Sequence, residues 1–160
     1  MRLLIGGSST FHFHLKEFSD TLNKLGVESK LVFDADYSDG FPSRKIRNWF
    51  QTGKKFTKLI DEFKPDAIFI DRQRHFGIDA LKANIPLFVL LRGHYWSEIN
   101  WNKKTIYKSL PKRIALSQWD KLGKEIFNGA TAILPICKYL EKITNKFVPG
   151  KSTNVFSEGV

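Results

Sequence analysis

Five short apolar runs limit what this chain can fold into. They are Arg2-Leu3-Leu4-Ile5, Lys30-Leu31-Val32-Phe33, Ala67-Ile68-Phe69-Ile70, Leu87-Phe88-Val89-Leu90-Leu91 and residues 130–136. Each is continuous rather than alternating, which is the pattern of a strand buried on both faces. Such strands need helices above and below them, and the intervening segments can supply these. Leu15, Phe18, Leu22 and Leu25 recur at spacings of three and four over residues 10–25, and Gly26 ends that helix. Ile46, Phe50, Leu59, Ile60 and Phe63 fit the apolar side of a helix that starts near Pro42 and stops before Pro65. Further helices are predicted over 77–83, 113–127 and 138–144, residues 92–110 read as irregular or partly helical, and 154–156 as the start of another strand. The order predicts an α/β class: a Rossmann-like, doubly wound parallel sheet with helices on both faces, one domain over residues 1–160, with no repeat and no linker.

In sheets of this kind ligands bind beyond the carboxyl ends of the strands, so the residues that follow each run are the candidate site. Gly6, Gly7 and Ser8 follow the first run and lead into a helix. A helix N-terminus attracts phosphate, although the same loop also reads as a plain tight turn. Neither G-x-G-x-x-G nor G-x-x-x-x-G-K-[ST] occurs, which argues against a dinucleotide dehydrogenase and a P-loop NTPase. Asp34 and Asp36 follow the second run; Asp71, Arg72, Arg74 and His75 follow the third. Arg72, Arg74 and His75 suit an anionic acceptor, or else form a solvated turn. The fourth run leads into Arg92-Gly93-His94-Tyr95-Trp96-Ser97-Glu98. His94 can donate to a sugar hydroxyl, accept a proton, or simply bond to backbone. Arg92 can pair with phosphate or carboxylate, and Tyr95 and Trp96 can stack on a sugar face. His12 and His14, two apart on a helix, make a poor metal pair, and no paired-carboxylate motif stands out, so no metal is expected. The lone Cys137 is expected to be a small buried residue at a helix start. One cysteine excludes an internal disulfide framework and fits a reducing, cytoplasmic setting.

Charge is concentrated. The chain carries 26 Lys+Arg against 16 Asp+Glu, a formal +10. Residues 40–60 hold Arg44, Lys45, Arg47, Lys54, Lys55 and Lys58 without an acid; residues 101–124 hold Lys103, Lys104, Lys108, Lys112, Arg113, Lys121 and Lys124 against Asp120 alone. Trp49 and Phe50 lie in the first segment, Trp101, Tyr107 and Trp119 in the second. Cations mixed with indole rings suit an anionic membrane surface, with Arg44, Lys45, Arg47, Lys103, Lys104 and Lys108 facing it. A nucleic-acid backbone is the less favoured partner, and two solvated helix faces with their aromatics in the core are the plainer reading. The longest uncharged apolar run, residues 83–91, is far short of the roughly 20 residues that a spanning helix needs. The expected location is cytoplasmic, peripheral at the inner membrane face.

The order of segments resembles the N-terminal half of a GT-B glycosyltransferase, most like glycosyltransferase family 4. The matching pieces are Arg2-Leu3-Leu4-Ile5-Gly6-Gly7, the helix ending Leu25-Gly26-Val27-Glu28, Lys64-Pro65-Asp66-Ala67-Ile68-Phe69-Ile70, Ile85 to His94, Asn128 to Cys137, and Asn154-Val155-Phe156-Ser157-Glu158-Gly159-Val160. The resemblance implies an acceptor-binding domain whose glycine turn (Gly6, Gly7) lies near the donor phosphates and whose His94 lies near the reacting sugar. Arg92-Gly93 intervenes before His94 where the family has fewer residues, and Cys137 stands where a serine is common. The implied reaction is sugar transfer from a nucleotide-sugar to a hydroxyl on a glycan or lipid-linked acceptor, with the nucleotide-sugar as substrate and no cofactor. The donor would sit on a C-terminal domain that this chain does not contain, so the chain alone is expected to be inactive. The competing expectations are a non-catalytic basic α/β module on anionic membrane or nucleic acid, and a stand-alone flavodoxin-like nucleotide binder.

Overall fold

The computed structural model describes residues 1–43, 46–50 and 53–157. The apolar runs become strands β1 (Arg2–Gly7), β2 (Glu28–Phe33), β3 (Ala67–Asp71), β4 (Leu87–Leu91) and β5 (Ala132–Pro135). They pair in the order β2-β1-β3-β4-β5, every pair parallel. The chain therefore reverses its direction of travel across the sheet between β1 and β3, and a crevice opens outside their carboxyl ends. The helices are α1 (His12–Lys24), α2 (Asp34–Tyr37), α3 (Lys54–Phe63), α4 (His75–Lys82), α5 (Tyr95–Lys104), α6 (Leu110–Gly129) and α7 (Lys138–Phe147). This is the doubly wound, Rossmann-like sheet expected from the continuous runs.

Strand alternation sorts the core into two layers. Leu4, Ile68, Ile70, Val89 and Leu91 point to one face and pack with Phe56, Leu59, Phe76, Leu122, Ile126 and Phe127 of the later helices. Leu3, Ile5, Phe69 and Leu90 point to the other, where Leu15 of α1 is buried and Phe18 and Leu22 are partly so. β3, the central strand, is buried at every position. Two glycines let the helices lie close to the sheet. A Cβ on Gly7 would run into Leu15 Cδ1, and one on Gly6 would sit 2.8 Å from the Phe76 ring. Overpacking of that kind costs about 1–3 kcal/mol.

The structure corrects several local expectations. The single helix expected from Pro42 to Pro65 is divided into a 3-10 turn, Ile46–Phe50, and α3. Gly53, at φ 67°, sets the start of α3, and side chains tie the turn backwards. Trp49 Nε1 donates to the Ser43 carbonyl at 2.8 Å, and Asn48 Nδ2 donates to Asp39 Oδ2 at 2.6 Å. The stretch expected to be irregular or partly helical holds the helix α5, whereas residues 154–156 give no strand, only an isolated bridge between Thr153 and Ile133. Cys137 is exposed, not buried, because it occupies the cap before α7 instead of packing under it.

Candidate functional site

The crevice is built from residues that strand parity places on α1's face. Asp71 continues the side of β3 that carries Phe69; Gly7 continues that of Ile5, and Arg92 that of Leu90. Asp71 is almost fully buried, 1% exposed, and its Oδ1 accepts from Arg92 Nε at 2.8 Å. Its second oxygen, Oδ2, is buried with no hydrogen-bond partner, and so are Ser8 Oγ and His12 Nδ1. The Phe11 ring lies beneath two arginines. The Arg72 guanidinium lies 5.4 Å and that of Arg92 5.0 Å from the centre of its ring. Arg72 also holds a left-handed backbone, φ 71°. Among the described residues, the other non-glycine ones at positive φ are Lys64, the C-cap of α3, and Asn84, just past α4, where helix ends favour that conformation. Arg72 follows a strand, so its strain has no such helical reason.

Next to this group, Asp34 caps the end of β2 and is buried. Burial pushes its carboxyl above the ordinary value; the Arg74 guanidinium, 3.4 Å from Oδ2, opposes that rise. His75 joins the following loop to α4: Nε2 is 3.1 Å from the Phe41 carbonyl, Nδ1 is 3.7 Å from Asp39, and the ring meets Trp119 edge-on. Arg72, Arg74, His75 and Arg92 therefore stay at one edge of the sheet, each next to a carboxylate or an aromatic ring.

The tip of β4 is different. His94 is the N-cap of α5, and its Nδ1 accepts the Ser97 backbone N–H at 3.1 Å. With the Nδ1 lone pair used in this way, the neutral ring carries its proton on Nε2, which lies 3.3 Å from Ser97 Oγ. The ring is surrounded by Trp96, Tyr139 and Phe147 at centroid distances of 6.2–6.3 Å. Tyr95 is buried, and its hydroxyl donates to the Trp119 carbonyl at 3.3 Å. Burial, and after it the Asp120 carboxylate, push its phenol above the usual value. Trp96 is stacked on Phe147 with centroids 4.6 Å apart. Tyr95 and Trp96 belong to the core, whereas Phe147 covers Trp96 from the exposed side. A depression between the β3 and β4 tips is lined by Arg72, Gln73, Arg92 and Gly93, while a cleft of about 380 Å³ lies away on the flank between α5, α6 and the end of α7.

The expected glycine loop, Gly6, Gly7 and Ser8, lies in the crevice, with both glycines also serving the packing described above. His94 lies beyond β4, with β3 between it and β1. Sequence reading placed Asp71 at this edge without a role, weighed His12 only as a metal ligand and passed over Phe11. The period-two alternation through Phe69-Asp71, Leu90-Arg92 and Ile5-Gly7 is the signal that would have grouped Asp71 with Arg92 and Gly7; no strand pattern reaches Phe11 or His12. Of the basic residues, Arg47, Lys103, Lys104 and Lys108 are exposed; Arg44 and Lys45 lie outside the described residues. Among the described residues no helix is long and apolar enough to cross a membrane.

No protein-family model matches the chain. No curated protein matches it either. Solved structures do. The UDP-N-acetylglucosamine 2-epimerase of Rickettsia bellii superposes with a TM-score of 0.59 at 14% identity, over 95% of this chain and 43% of the epimerase. UGT73P12 of Glycyrrhiza uralensis, complexed with glycyrrhetinic acid 3-O-monoglucuronide, superposes with a TM-score of 0.51 at 15% identity, over 95% of this chain and 42% of that one. The chain thus spans less than half the length of either. At these identities the likeness is one of fold: the chain has the parallel, Rossmann-like architecture found within these two proteins.

Proposed function

We propose that this chain is the acceptor-side wall of a GT-B glycosyltransferase of family 4 type, working against a second, donor-binding domain. The observation that carries the reading is that polar atoms following β1 and β3 are buried and unbonded: Asp71 Oδ2, Ser8 Oγ and His12 Nδ1, whose ring packs on Phe33 at the end of β2. A buried polar atom without a partner costs about 1–3 kcal/mol, and hydroxyl groups of a bound sugar would supply the missing bonds. Arg72 and Arg92 would favour an acceptor bearing negative charge, and the Gly6-Gly7-Ser8 turn would face the donor phosphates. In the reaction, an acceptor oxygen bonds to the sugar's anomeric carbon as the bond from that carbon to the diphosphate oxygen breaks. The nucleoside diphosphate leaves with the electron pair, and the hydroxyl proton passes to an unbonded acceptor, Asp71 Oδ2 or His12 Nδ1. His94 would offer Nε2–H to a sugar hydroxyl in exchange for its contact with Ser97 Oγ. Two facing walls would supply alignment and exclusion of water.

Saturation-transfer NMR of the chain with a panel of methyl hexosides and hexose 1-phosphates tests this. The expected result is transfer to at least one sugar that weakens in Ser8→Ala, a variant that removes an unbonded hydroxyl and leaves packing alone. No transfer to any sugar, or transfer unchanged by Ser8→Ala, overturns the assignment. Micromolar binding of UDP-N-acetylglucosamine to this chain alone, by calorimetry, overturns the division into acceptor and donor walls.

A further inference from the structure

The corner between α5 and α6 projects from the fold. α5 buries only Tyr95 and Trp96, in its first turn, and α6 buries nothing before Leu116. Between them the backbone closes tightly, Ile106 and Tyr107 N–H both donating to the Asn102 carbonyl at 3.1 and 2.9 Å. The result is a stub of two helix ends joined by residues 105–109, clear of the core. Its large apolar side chains are exposed: Leu110 by 72%, Trp101 by 59%, Ile106 by 50% and Ile114 by 48%. Lys103, Lys104, Lys108, Lys112 and Arg113 are interspersed with them and are exposed too. No carboxylate occurs between Glu98 and Asp120.

We propose that this corner is a docking surface for an anionic phospholipid bilayer. Five cations with no acid among them complement a negatively charged leaflet. The indole and three aliphatic side chains have the size and amphipathic surroundings to enter the boundary between headgroups and acyl chains. Other occupants fit less well. Ile106, Leu110 and Ile114 have no ring to stack on a base, so nucleic acid would leave them in water. A second copy of the chain, meeting this patch with its own by two-fold symmetry, would set five cations against five. The inference does not rest on sugar chemistry. A face that only met water would gain nothing from exposing Leu110 and Ile114 among bases with no acid beside them.

Co-sedimentation with vesicles tests it. The chain is expected to pellet with mixed phosphatidylglycerol–phosphatidylcholine vesicles at low salt and not with phosphatidylcholine alone. Each lysine removed should weaken partitioning roughly fivefold, so Lys103→Ser, Lys104→Ser and Lys108→Ser together weaken it by about a hundredfold. Leu110→Ser with Ile114→Ser should abolish the part of binding that survives high salt. All these positions are exposed, and circular dichroism checks that the variants keep the fold. Failure to pellet, pelleting unaffected by either set of substitutions, or tighter binding to a single-stranded oligonucleotide than to the anionic vesicles overturns the proposal. So does a dimer in sedimentation equilibrium that Ile114→Glu dissolves. None of these outcomes bears on the sugar-binding test at Ser8, so the two proposals stand or fall separately.

Discussion

The tips of β1 and β3 and the tip of β4 lie in one sheet edge, yet they treat polar side chains in opposite ways. At β4 the groups are bonded: His94 caps a helix, Tyr95 reaches the α6 backbone and Trp96 stacks on Phe147. At β1 and β3, Ser8, His12 and Asp71 each keep a buried atom without a partner, and Arg72 keeps a left-handed backbone. Bonded groups account for themselves by stabilising the fold. Unbonded ones raise its free energy, and a ligand that bonds them offsets the cost. The contrast moves the candidate chemistry away from the loop richest in reactive residue types and towards the loop whose polar atoms are unanswered.

The largest expected effect is at Asp71. Asp71→Ala removes the carboxylate that accepts from Arg92 Nε, in an arginine side chain only 11% exposed. Loss of one partner of a buried pair should cost about 3 kcal/mol in urea unfolding; a loss under about 1 kcal/mol would mean that the other contacts of Arg92 hold it unaided. Next comes His94. His94→Ala should cost about 1 kcal/mol as a lost cap, and His94→Asn should recover most of it, since the Asn oxygen can accept the same N–H. In an enzyme that also has its donor domain, His94→Asn should lower turnover at unchanged stability, because the Nε2 donor is lost; unchanged turnover would remove the imidazole from the chemistry and sharpen the contrast.

Arg72→Gly should act in the opposite sense. Relief of the left-handed strain is expected to stabilise the chain by up to about 1 kcal/mol while sugar binding weakens. A drop in thermal midpoint would show that the Arg72–Phe11 contact outweighs the strain. The smallest effect concerns pH. Asp34 has its carboxyl raised above 3.8 by burial. Its contribution is complete below 3.8, where both states are protonated, and is lost as pH rises through the folded value, because the unfolded chain releases its proton first. Asp34→Asn should flatten that part of the stability–pH curve; an unchanged curve would place the titration elsewhere.

How much of this could be read beforehand varies by residue. Leu87–Leu91 was legible to the residue, because a run of five apolar side chains between Pro86 and Arg92 fits only a doubly covered strand. The candidate edge of the sheet was legible too, since parallel strands send all their carboxyl ends the same way. Its composition was less so. Tyr95 and Trp96 have the residue types of a sugar platform, but Trp119, Phe127 and Phe147, distant in sequence, enclose them. The turn at 46–50 was missed because Trp49 and Asn48 bond backwards to Ser43 and Asp39, which helical periodicity does not register.

The amino-acid sequence by itself determined the parallel, two-layered sheet and the two basic segments, because burial patterns and charge counts are local properties of the chain. Only the tertiary structure decided which polar groups at the strand tips are satisfied and which apolar groups on the basic segments are bare. Both depend on neighbours from other elements: Leu15 over Gly7, Arg92 beside Asp71, Phe11 beneath two arginines, and no element of the core beneath Leu110 and Ile114. Satisfaction and exposure are relations between distant residues, and folding is what creates them.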